Sequence, residues 1–79
     1  MNLSTAGRQA KLKQLVAIEG YASLEDLLEA AVFNSVSPGI CQTIGCDYTT
    51  EVEPDQTEGW CEVCGKGTVA SALILAGLV

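Results

Sequence analysis

Four cysteines, Cys41, Cys46, Cys61 and Cys64, fall as C-x4-C-x14-C-x2-C, and this spacing constrains the chain more than any other feature. Two close pairs separated by a middle stretch are what a tetrahedral Zn²⁺ site built from two turns requires. Each turn offers two thiolates to one ion, and Zn–S bonds of about 2.3 Å put neighbouring sulfurs about 3.5–4 Å apart. The spacing predicts a metal centre with all four cysteines as ligands, fastening the second half of the chain. Iron fits the same sulfur cage and is the second choice; disulfides or free thiols are the remaining alternatives.

At 79 residues there is room for one small domain. A core of that size is marginal, and small scaffolds commonly add a metal or disulfides. The composition, 48% hydrophobic with 18% charged residues, is that of a folded chain. Ten acidic against four basic side chains give a formal charge of −6. Four thiolates around one divalent ion would take it to about −8. Such a surface repels nucleic-acid phosphates, although Arg8, Lys11 and Lys13 cluster near the N-terminus. A protein partner, a basic one in particular, is the better expectation. The start MNLSTAGRQAKLK lacks the apolar segment of a secretory signal. The longest apolar stretch, 69–79, is shorter than the roughly 20 residues that span a bilayer. The expected setting is a reducing cytoplasm, where cysteines bind metal more often than they pair.

A first helix is predicted over 5–19: Leu12, Leu15 and Val16 recur at helical spacing, while Arg8, Lys11, Lys13 and Gln14 read as its polar side. Ser4 or Thr5 can cap it, and Gly20 suits the left-handed stop. A second helix is predicted over about 24–35. Ser23 caps it, Leu24, Leu27, Leu28, Ala31 and Val32 form its apolar stripe, and Pro38-Gly39 marks its end. Together they make a helical hairpin over 5–36. The cysteine region, 39–67, reads as a zinc-ribbon-like β-hairpin: a β-prone run at Tyr48–Val52 and its partner near Gly59–Cys61 flank the turn-rich segment 53–59. Gly65 supplies the positive φ that frees backbone N–H groups for thiolate sulfur. The apolar tail, 68–79, is read as a C-terminal helix packed on the first two, a buried strand being the alternative. The predicted fold class is a single α+β domain stapled by metal.

The segment Cys61-Glu-Val-Cys64-Gly65-Lys66 resembles the second cysteine turn of zinc ribbon and rubredoxin-like modules, over about residues 40–69. That resemblance implies two cysteine turns at β-hairpin tips gripping one metal. The first turn, Cys41-Gln-Thr-Ile-Gly45-Cys46, departs from it, with four intervening residues rather than two. The whole layout, with the run Cys46-Asp-Tyr-Thr-Thr-Glu-Val-Glu-Pro-Asp-Gln56, looks like short proteins of bacterial and phage genomes. The run Lys11–Ala30, with its Gly-Tyr-Ala-Ser turn, is similar to the helices of ribbon-helix-helix repressors. That family reads DNA with a basic N-terminal strand, whereas Asn2 to Gln9 hold one arginine and little β propensity.

Catalysis finds little support. The chain has no histidine to act as a general base, and a four-cysteine site closes the metal's coordination. Glu51, Glu53, Asp55 and Glu58 read as a solvated face rather than an acid–base pair. Gly65-Lys66-Gly67-Thr68 lacks the first glycine of a phosphate loop. Trp60 is either a binding contact or, the preferred reading, a residue that shields the metal and fills the core. The expected function is therefore a non-enzymatic protein-interaction adaptor or modulator, phage-encoded on the resemblance above and acting on a host protein. A nucleic-acid-binding regulator and an iron electron carrier are the alternatives.

Overall fold

A computed structural model describes residues 4–78. The parts of the segments 2–9 and 68–79 that fall on residues 1–3 and 79 lie outside the described residues. Helix α1, Thr5–Glu19, begins where Ser4 Oγ accepts the Gly7 N–H at 3.1 Å. It ends where Gly20 turns left-handed, φ 78°, and donates its N–H to Val16 O. Helix α2, Leu24–Phe33, is capped by Ser23, whose Oγ accepts the Asp26 N–H at 3.2 Å. It stops two residues short of the predicted end because Asn34 takes an extended backbone while its side chain donates to Ala30 O at 2.7 Å.

Pro38 and Gly39 do not terminate the helix; they lie inside strand β1, Ser37–Cys41. Pro38 is tolerated there because β1 is paired only with strand β2, Thr49–Val52, at that point. Pairing with strand β4, Lys66–Ser71, begins one residue later, at Gly39 opposite Ser71. Gly39 suits the place for a different reason: a Cβ on it would meet Val52 Cγ2 at 2.8 Å and Ala70 O at 2.9 Å.

Strand β3, Gly59–Cys61, completes an antiparallel sheet in the order β2-β1-β4-β3. The predicted runs at Tyr48–Val52 and Gly59–Cys61 are both strands, but they sit on opposite edges rather than beside each other. Each pairs with a strand outside those runs, β2 with β1 and β3 with β4. The segment between them crosses the end of β4, where Ser71 donates its N–H to Gln56 O and its Oγ–H to Pro54 O.

The tail is likewise corrected. Thr68–Ser71 belong to β4, and the C-terminal helix α3 is only Ala72–Leu75. The strand is buried on both faces, so its apolar run carries no alternation to separate it from a helix.

Alternation along β1 and β4 divides the interior in two. Ile40 and Ala70 face Leu12 and Leu15 of α1, Leu27 of α2 and Leu75 of α3. Their chain neighbours Cys41 and Val69 join Cys46 and Cys61 in a second cluster. Of the α2 stripe, Leu27 and Ala31 are buried and Leu28 is half-buried, while Leu24 and Val32 are exposed. No helix among the described residues is long and apolar enough to cross a membrane.

Candidate metal centre

Cys41 ends β1 and Cys46 lies in the loop that leads to β2, while Cys61 ends β3 and Cys64 lies in the loop that leads to β4. Both cysteine turns thus sit at hairpin tips, and the β1–β4 pairing brings the two tips together. All four predicted ligands converge, their sulfurs lying within 4.8 Å of one another. Cys41 Sγ is 3.8 Å from Cys64 Sγ, and Cys46 Sγ is 3.7 Å from Cys61 Sγ. A tetrahedron with metal–sulfur bonds of about 2.3 Å has edges of about 3.8 Å, so the cluster fits one ion with little adjustment. A disulfide would need the sulfurs at about 2.05 Å, and all four cysteines are free. Cys41 and Cys61 are fully buried, Cys46 nearly so, and Cys64 is half-buried.

The second turn closes on itself. Cys64 N–H points at Cys61 Sγ at 3.3 Å, and Gly65 N–H bonds Cys61 O at 2.8 Å. Gly65 does so at φ 67°, the positive value expected of it. The first turn is longer and reverses through Gly45 at φ 89°. Thr43 N–H lies 3.5 Å from Cys41 Sγ, and the Cys46 N–H bonds Thr43 O at 3.0 Å.

Two residues outside the turns complete the first one. Thr68 Oγ1 lies 3.0 Å from Cys41 Sγ. Lys11, from α1, donates its ammonium to Thr43 O at 2.7 Å and to Cys46 O at 2.5 Å. Sequence reasoning placed Lys11 on the polar side of the helix; it is instead 4% exposed. One signal pointed there: Lys11 stands four residues before Leu15 and beside Leu12, on the stripe that packs inward. Nothing in the sequence singles out Thr68.

Crowded thiols cannot all ionise alike. Burial opposes the Cys41 thiolate, but hydrogen bonds from Thr43 and Thr68 outweigh it and lower the thiol to about 6. For Cys46 the Tyr48 backbone favours the thiolate, yet burial and the sulfurs of Cys41, Cys64 and Cys61 prevail and push it up to about 12. A cation placed among the four reverses this, because it draws a proton off every ligand.

Trp60 does not fill the core: β3 alternates, turning Gly59 and Cys61 inward and leaving Trp60 61% exposed. Glu51, Glu53, Asp55 and Glu58 are all exposed, as read from the sequence. No protein-family model matches this chain, and neither does any curated protein or solved structure.

Proposed function

We propose that the chain is a small zinc protein without catalytic activity, an adaptor or modulator that docks on another protein. The observation that carries this reading is the cage of four sulfurs at tetrahedral spacing. With all four bound, the ion keeps no open position for water or substrate, which is the signature of a structural site. Zinc is preferred to iron because a structural site needs no redox change and zinc offers none. A rubredoxin-like carrier would instead bind iron and be coloured.

The interaction role rests on the outward side of α2. Glu25, Asp26 and Glu29 occupy its first turns, and Val32 and Phe33 its last. Glu25 and Asp26 also favour the positive helix end, but Glu29 lies beyond that reach. Phe33 is 82% and Val32 62% exposed, and burying two such side chains on a partner would contribute roughly 1.5–3 kcal/mol each. Acid beside an aromatic anchor suits a basic surface with an apolar pocket. In the phage setting of the look-alike proteins, that surface would belong to a host protein. The burial of Lys11 also weakens the nucleic-acid alternative, since it takes one cation out of the N-terminal cluster.

Affinity capture with the zinc-loaded chain, read by mass spectrometry, tests the reading. We expect a retained protein whose recovery falls about tenfold with Phe33→Ala, the loss of one hot-spot anchor. Retention of nucleic acid instead, released by raised salt, would contradict it.

A further inference from the structure

We propose that Lys11 is a positioning residue of the metal centre, a strut from helix α1 that holds the first cysteine turn closed. Metal affinity then depends on the docking of α1, and the order of α1 depends on the metal. This deepens the zinc reading above and rests on it.

Lysine is among the side chains least often buried, because its ammonium loses water that only strong partners replace. Here the ammonium is held by two carbonyls, Thr43 O and Cys46 O, that lie within the first turn itself. Both acceptors are neutral. With a divalent ion bound, the four thiolates keep about −2. Cys46 supplies both one of those carbonyls and one candidate ligand sulfur, so the ammonium is anchored on a residue of the sulfur cluster.

The first turn needs such a prop. It spans four residues between its cysteines where the second spans two. Its internal backbone closure is the Cys46 N–H to Thr43 O bond, and Lys11 bonds that same oxygen. Fixing Thr43 O and Cys46 O sets the position of the Cys46 sulfur relative to Cys41. Residue 11 is 32 and 35 positions away from its acceptors, so the contact links the helical layer to the metal loop. By linkage, whatever free energy Lys11 lends to metal binding, the metal returns to the docking of α1.

The test uses the full chain with Zn²⁺ or Co²⁺ alone. Zinc affinity is measured against a chromophoric chelator for wild type, Lys11→Met and Lys11→Arg, and the Co²⁺ forms are compared by absorption. Outer residues that orient metal ligands are typically worth 10–100-fold in affinity. We expect Lys11→Met to lose at least about tenfold while keeping the tetrahedral four-sulfur Co²⁺ spectrum, with Lys11→Arg recovering most of the loss. Amide exchange supplies a readout that needs no variant: stripping zinc from wild type should speed exchange around residues 8–15. In Lys11→Met that response to zinc should be largely gone. Affinity of Lys11→Met within twofold of wild type overturns the inference, as does α1 exchange in wild type that is indifferent to zinc. If wild type takes up no metal at all, the zinc reading itself has failed, a result distinct from either.

Discussion

The two cysteine turns reach one sulfur cluster with unequal help from the rest of the fold. The second, Cys61 to Cys64, is closed by its own backbone: an N–H onto sulfur, an N–H onto a carbonyl, and one left-handed glycine, all within five residues. The first, Cys41 to Cys46, has closures of the same kinds spread over a longer loop, and adds a hydroxyl from β4 and an ammonium from α1. The difference separates a turn closed locally from one that also draws on distant parts of the chain. A short turn with local closure can be preorganised before a metal arrives, whereas the longer first turn is completed by the helical layer and the sheet.

The comparison can be broken or sharpened experimentally, beginning with the largest effect. Structural zinc sites contribute on the order of 10 kcal/mol or more, comparable to the whole 5–15 kcal/mol stability of a small domain. Cys61→Ser removes a fully buried ligand that also organises its own turn. It is expected to abolish metal binding and collapse the NMR dispersion of residues 39–67. Retained native dispersion in that variant would show that something other than the metal holds this half. The Lys11 substitution comes next at about tenfold in affinity, leaving the second turn undisturbed.

A smaller, graded effect comes from pH. Metal binds thiolates, so protons compete with it and affinity must fall as pH falls. Cys46, pushed up to about 12, is protonated in the metal-free protein at neutral pH and has to give up that proton on binding. That one proton contributes about one decade of zinc affinity per pH unit through neutrality, so the whole dependence is at least that steep. Cys41, held down to about 6, adds a further proton only below that value, where the dependence steepens. Chelator competition between pH 5.5 and about 8 reads both parts; a flat profile near neutrality would contradict the assignment to Cys46.

Legibility in the sequence follows the same division between local and borrowed order. The bounds of α1 and the start of α2 were readable because Ser4, Gly20 and Ser23 act on neighbours three or four residues away. The cluster of four cysteines was readable because metal geometry imposes its own spacing on a chain built to hold one. What escaped was set by distant partners. Strand β1 was hidden behind Pro38-Gly39, which looks like a break unless one knows that β4 begins its pairing only at Gly39. The fully buried Val69 and Ala70 of β4 lie in an apolar run that fits a helix equally well. Trp60 seemed a core residue by type, but strand alternation turned it outward. Lys11 seemed a surface residue by charge, and only its carbonyl partners, more than 30 positions away, explain its burial.

The most direct test of the central claim is native mass spectrometry of the freshly isolated protein, paired with titration of its thiols after denaturation. A single cation should be weighed on each polypeptide, and four reduced sulfurs should be counted once it is released. A bare chain, or sulfurs oxidised two by two, would contradict the account.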